Sequence, residues 1–366
     1  MSEPRIAALR TAFDAQGLDG LLVFAPEDYR YLTGFSGDAG ALAVGRADAL
    51  LLTDSRYIET ARGEVRGARV AQHGRSPGAL LADLADAVRG MGGERWGFDE
   101  SVSYAVHRRL SESGLGLVPT RDLVLRQRMV KDAQELVRIR RACAIAADAL
   151  EELIDRLRPG MLEREAALWL EVRMREMGAE GPAFPFIVAS GPRGSLPHGA
   201  AGERALAEGD MITLDVGCRY FGYHSDLTRT VALGRPSAEL QRIYAVVLEA
   251  QEAGLAAVRP GVPARAVDEA ARSSIARAGY GEHFGHGTGH GVGLEVHELP
   301  RVAAASEDVL APGMVLTVEP GVYLPGVGGV RIEDTVLVTD AGAEVLTVSP
   351  KALRMLAAVG RERGRT

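Results

Sequence analysis

Cysteine is nearly absent: Cys143 and Cys218 are the only two in 366 residues. Nothing in their placement suggests that they pair, so two reduced, buried thiols are expected. Any metal held by this chain must then draw mainly on nitrogen and oxygen ligands. Also missing is an apolar run near the roughly 18 to 20 residues that span a bilayer. The opening MSEPRIAALR lacks the charged-then-apolar order of a secretory signal. A cytoplasmic enzyme without a membrane partner is expected. Basic residues are outnumbered, 42 against 49 acidic, and they are scattered; a net charge of −7 leaves no basic face for nucleic acid. What is present, 46% hydrophobic and 25% charged residues, is the composition of a globular protein. Its length exceeds one ordinary core, so two domains are expected.

The first third alternates short apolar runs (GLLVF at 20–24, LAV at 42–44, ALLLTD at 49–54) with a helical pattern at 78–93. That order predicts an α/β domain. At Asp132 the texture changes. Asp132 and Glu135 have capping-box spacing, and Leu136, Ile139, Cys143, Ala146, Leu150, Ile154 and Leu157 recur every three or four residues until Pro159-Gly160. We place the domains at 1–127 and 128–366.

The second domain contains an internal duplication. Arg158-Pro159-Gly160 opens a helical segment ending at Gly178, and Arg259-Pro260-Gly261 opens another ending at Gly279. TLDVG (213–217) is echoed by TVEPG (317–321), Asp226 by Glu333, and His198 by His297. Each copy reads as helix, turn, helix, then a strand-rich stretch with one histidine and two carboxylates. Strand parity puts Thr213 and Asp215 on one face, with Ile212, Leu214 and Val216 on the other; Thr317 and Glu319 separate from Leu316 and Val318 likewise. If the copies pack about a pseudo-twofold axis, four acids meet. Like charges a few Å apart repel by several kcal/mol even at an effective dielectric near 20. Two divalent cations would balance them, and carboxylate-rich coordination with one imidazole suits Mn²⁺, Co²⁺, Fe²⁺ or Zn²⁺.

In HGTGHGVGLEVHELPR (286–301), His286 and His290 have the four-residue spacing of a helical zinc pair. The alternating glycines rule that reading out, because each costs about 1 kcal/mol in a helix interior. An extended strand is expected instead, with both histidines on one face and room for close approach.

Five stretches carry a resemblance: FPFIVASGPRGSLPHG (184–199), LDVGCRYFGYHSDLTRT (214–230), HGTGHGVGLEVHELP (286–300), LTVEPGVY (316–323) and VRIEDTVLVT (330–339). The sequence resembles the pita-bread metallopeptidases, and within them prolidase and aminopeptidase P. EDYRYLTGFSG and LLTDSRYIETA resemble the creatinase/prolidase-type N-domain. The resemblance covers nearly the whole chain. It implies an α+β pita-bread catalytic domain after a smaller α/β domain. It also implies metal ligands at Asp215, Asp226, His290, Glu319 and Glu333, with Asp226 and Glu333 bridging two ions. Asp215 would complete one ion's ligands, His290 and Glu319 the other's.

The implied reaction is hydrolysis of the bond before proline in small peptides with proline second. Glu319 would shuttle a proton. His198 and His297 would stabilise the substrate carbonyl, with His286 also on the substrate side. Arg331 would stand behind the ligands. Phe184, Phe186 and Tyr323 are candidates for the proline pocket. Arg301, four residues after His297, matches an arginine that neutralises the C-terminal carboxylate of a dipeptide, which favours a dipeptidase. An aminopeptidase P acting on longer peptides is the rival. A metal-free creatinase-like hydrolase or a binding protein on the same fold would require eroded ligands. Manganese and a homodimer are further expectations from the resemblance.

Overall fold

The computed structural model describes residues 2–357 and divides the chain into two compact units, Met1–Arg128 and Met129–Thr366. In the first, a six-stranded sheet runs in the spatial order Arg69–Gln72, Ala49–Thr53, Gly40–Gly45, Gly20–Val23, Trp96–Asp99, Leu117–Thr120. Gly40–Gly45 is antiparallel to both neighbours, and the remaining pairs are parallel. The expected helix lies at Ala79–Met91 and buries Leu84 and Val88 against Leu22, Ala43, Trp96 and Phe98 of the sheet. No helix among the described residues is long and apolar enough to cross a membrane.

The second unit is built twice from one plan. Helices Ala133–Ile154 and Glu163–Glu176 precede strands Ile187–Ser190, Met211–Val216 and Leu227–Leu233, each antiparallel to the next. Helices Ala238–Ala257 and Ala264–Arg277 precede Gly289–Gly291, Val315–Val318 and Asp334–Thr339, joined in the same way. The capping box forms as spaced: Asp132 accepts from the backbone N–H groups of Gln134 and Glu135, and Glu135 accepts from that of Asp132. The helix ends at Ile154, short of Leu157. Pro159 disfavours helical backbone at Arg158, and the last turn tightens through Arg156 N–H to Leu153 O. Leu157 still packs in the core.

Alternation along the strands divides hydrophobic from functional surface. Ile212, Leu214 and Val216 pack with Ile145, Leu150 and Leu170 of the first helix pair. Leu316 and Val318 pack with Ala264 and Val267 of the last helix. Thr213, Asp215, Thr317 and Glu319 lie on the opposite parity.

The two copies are sewn together mainly by side-chain bonds to backbone. Thr230 Oγ1 donates to the Arg331 carbonyl at 2.8 Å and accepts from the Arg331 N–H at 3.2 Å. Thr335 Oγ1 donates to the Asp226 carbonyl at 2.7 Å, and Glu333 N–H donates to the Thr228 carbonyl at 3.1 Å. Arg229, 1% exposed, donates to the carbonyls of Thr228, Glu333 and Ser349 and to Asp334 Oδ1. Arg229→Leu removes one member of this buried pair. It should lower stability by about 3 to 5 kcal/mol, measured by equilibrium denaturation.

Candidate metal centre

Where the two halves meet, a cavity of about 460 Å³ opens, within the size range of small-molecule sites. Asp215, Asp226, Glu319 and Glu333 line it together with His290. Asp215 lies within the Met211–Val216 strand; the other three acids lie just outside strand ends. The parity argument therefore holds for the strand face, while the ends supply most of the carboxylates.

Ligating atoms of Asp226, His290 and Glu333 lie within 4.8 Å of one another. His290 Nε2 is 3.2 Å from Glu319 Oε1 and 3.6 Å from Asp226 Oδ2. Its Nδ1 lies 3.1 Å from the Gly291 carbonyl, which fixes Nδ1 as the donor and leaves Nε2 facing the acids. Thr317 Oγ1 accepts from the His290 N–H at 3.1 Å and donates to Glu319 Oε1 at 3.1 Å, so one hydroxyl orients both. Thr228 Oγ1 donates to Glu333 Oε2 at 2.7 Å.

Charge in this cluster is unbalanced. Burial, reinforced by neighbouring carboxylates, pushes Asp226 and Glu333 well above the usual carboxylate range. Burial also raises Asp215, although Arg331 Nη2 donates to its Oδ2 at 2.6 Å. Burial opposes ionisation of Glu319 too, but there the His290 hydrogen bond and charge outweigh it and hold the carboxyl down at about 2. Asp215 Oδ1 and Glu333 Oε1 are buried without a hydrogen-bond partner. Unpartnered buried carboxylate oxygens beside an imidazole nitrogen suit a divalent cation.

His198, His286, His297 and Arg331 also line the cavity. His198 and His297 are exposed at its mouth, and the His297 ring lies 4.2 Å from that of His290. Partial desolvation of its ring and the neighbouring His290 lower the His297 pKa. His286 is tied differently. Its Nδ1 lies 2.8 Å from the Gly287 carbonyl and its Nε2 2.8 Å from Tyr323 Oη, which accepts from Arg331 Nη1 at 2.9 Å. Tyr323 must then donate to Nε2, so both imidazole nitrogens are engaged. Tyr323 is not among the cavity-lining residues; its hydroxyl links His286 to Arg331. Of the aromatic candidates only Phe184 reaches the wall, because Phe186 belongs to the core behind the first sheet.

The glycine-rich stretch departs from the expected long strand. Only Gly289–Gly291 pairs as a strand, with a register shift after His290. The preceding backbone is held from the last helix instead: Arg272 donates to the His286 carbonyl and Asp268 accepts from the Thr288 N–H. Close approach is nonetheless why glycine is needed. A Cβ on Gly289 would lie 2.0 Å from the Thr317 carbonyl oxygen, and one on Gly291 2.1 Å from that of Leu299. Arg301 lies opposite His290 in the strand pair, so the two side chains project to the same face. It is exposed and, among the described residues, makes no ion pair or hydrogen bond.

Residues 137–340 match the model of metallopeptidase family M24. The chain belongs to that family. Residues 5–130 match the creatinase/prolidase N-terminal domain. The chain is similar to the Xaa-Pro dipeptidase of Pyrococcus horikoshii, 37% identical over 93% of this chain and 95% of that protein. It superposes on an Xaa-Pro dipeptidase from Bacillus anthracis with a TM-score of 0.94 at 42% identity, covering 97% of this chain and 100% of the other. An X-Pro aminopeptidase from Thermotoga maritima superposes at 0.84 with 38% identity, covering 93% and 98%.

This family M24 chain thus has an α/β unit followed in sequence by an α+β catalytic unit made of two similar halves. Sequence reasoning put Thr228 and Thr317 on the acidic face but missed that their hydroxyls orient Glu333, Glu319 and His290, and it missed Asp268 and Arg272, which hold the loop. Asp268 and Arg272 carried a signal: an acid and an arginine four apart, Asp268 fully buried on an apolar helix face. Gly289→Ala should drive the His290 strand off Thr317. Affinity for Mn²⁺ should fall at least about tenfold, as measured by calorimetric titration, with helix content unchanged by circular dichroism.

Proposed function

We propose that this family M24 metallopeptidase is an Xaa-Pro dipeptidase working with two divalent cations, manganese first among them. The observation that carries the reading is the convergence of three buried carboxylates, the half-buried Glu319 and His290, with unpartnered oxygens on Asp215 and Glu333. Asp215, Asp226, His290, Glu319 and Glu333 are the residues that would hold the cations. The cations supply the Lewis acidity that polarises the scissile carbonyl and lowers the pKa of water. A metal-free creatinase-like reaction fits less well, since the full donor set is present.

The protein's own groups do the rest. Glu319, oriented by the Thr317 hydroxyl, is placed to accept the proton of the attacking water and pass it to the leaving nitrogen. His297 and His198, at the mouth, are placed to donate to the substrate carbonyl as negative charge develops on its oxygen. His286 serves from behind by fixing Tyr323 and, through it, Arg331 against Asp215. Phe184, Pro185, Ile187 and Pro197 supply an apolar wall suited to a pyrrolidine ring, which has no N–H to satisfy.

The relatives named above include both dipeptidase and aminopeptidase, so similarity does not choose between them. Arg301 favours the dipeptidase: an exposed guanidinium, directed to the His290 face and without an internal partner, suits a carboxylate one residue beyond the scissile bond. A cytoplasmic homodimer is part of the proposal, supported by the resemblance alone.

Chelator-treated protein should lose Ala-Pro hydrolysis and regain it with Mn²⁺; turnover indifferent to chelation would sink the metal-dependent reading. Ala-Pro should be cleaved with higher kcat/KM than Ala-Pro-Ala, and equal efficiency would transfer the assignment to an aminopeptidase. Arg301→Ala should raise KM for Ala-Pro about tenfold, the loss of one charge-assisted hydrogen bond, and leave Ala-Pro-Ala kinetics nearly unchanged.

A further inference from the structure

The helix Ala264–Arg277 contributes no side chain to the cavity wall, yet it carries a polar pair, a half-buried Arg272 and a carboxylate, Asp268, with no reason to be buried for packing alone. Asp268 is 0% exposed. Arg272 forks onto it, Nε to Oδ2 and Nη2 to Oδ1, both at 2.9 Å. The pair reaches outward along two routes. In one, Arg272 Nη1 donates to the Phe284 carbonyl at 3.0 Å and Nη2 to the His286 carbonyl at 2.7 Å. In the other, Asp268 Oδ1 accepts from both the N–H and the hydroxyl of Thr288, at 3.0 and 2.8 Å. The Thr288 carbonyl in turn accepts the Glu319 N–H at 2.8 Å.

We infer that Asp268 and Arg272 are positioning residues, which set the loop 284–288 and through it the separation of His286 from Glu319. The inference rests on the metallopeptidase reading for the importance of that separation. The loop is not held as a sheet strand before Gly289, and its Phe284 and His286 carbonyls and Thr288 N–H have this pair as their anchor. A planar fork is required because one guanidinium must meet a carboxylate and two backbone carbonyls at once, and an ammonium cannot reproduce that geometry. Thr288, fully buried, is the point at which the pair hands its constraint to Glu319.

Arg272→Lys and Thr288→Val test the inference, with Thr288→Ser as the conservative control. Each is titrated with Mn²⁺ by calorimetry and assayed on Ala-Pro. Arg272→Lys and Thr288→Val should bind Mn²⁺ about ten- to a hundredfold more weakly than wild type. At saturating Mn²⁺ their kcat should remain at least about tenfold lower, with KM within about threefold. Thr288→Ser should restore both. Folded variants that bind Mn²⁺ and turn over as wild type does would overturn the inference, as would a Thr288→Ser no better than Thr288→Val. Wild-type protein that binds Mn²⁺ but leaves Ala-Pro intact counts against the peptidase reading instead, and the variants' Mn²⁺ affinities then decide the positioning role by themselves.

Discussion

The site depends on the seam between Asp226–Thr230 and Arg331–Thr335. Those segments come from different copies, and neither can finish a sheet with the other in the ordinary way. Threonine hydroxyls and the Arg229 guanidinium close the gap, taking up the backbone groups of Asp226, Thr228, Arg331 and Glu333. Because those groups belong to the acids themselves or their immediate neighbours, stability and the geometry of the acidic cluster share the same bonds. Shifting the seam would move Asp226 and Glu333 relative to each other before it exposed any apolar core.

That arrangement concentrates charge. Four carboxylates in one cavity are compensated inside the protein by Arg331 and by His290 when protonated, and neither reaches Glu333 Oε1. The unfavourable electrostatics are sustained by packing elsewhere: Leu214 and Val216 on one side and Leu316 and Val318 on the other anchor each strand in an apolar cluster. Burial of those four side chains contributes about 1.5 to 3 kcal/mol each, comparable with the repulsion of a carboxylate pair. A hydrophobic face on each strand therefore holds the acidic face in place.

The fold was legible where periodicity was strong. Capped helices, alternating strands and the repeated Arg-Pro-Gly turns all read directly from spacing, and the four acids were singled out by the repeat before any resemblance. The local shape of 286–288 was not legible, because it is fixed by side chains from a helix that precedes it in the chain. Alternating glycines are compatible with a strand; they do not require one. Tyr323 and Phe186 illustrate a second limit. An aromatic beside a motif can face the site or the core, and parity within a four-residue strand could not decide which groups Tyr323 would bridge. Thr228 and Thr317 were hidden for a simpler reason: threonine is ordinary in strands, and only distances reveal that these hydroxyls hold carboxylates.

The duplication also explains why the donors are unequal. Gly291 stands opposite Leu316 as Ser190 stands opposite Ile212, so His290, one step back, corresponds to Ala189, which faces Thr213. The first copy therefore offers a methyl group where the second offers an imidazole. Thr213 meets Thr230, whereas Thr317 is spent on His290 and Glu319. The two copies therefore give their donors unlike surroundings: in the second, His290 and Glu319 stand side by side, while in the first Asp215 is already engaged by a guanidinium 2.6 Å away.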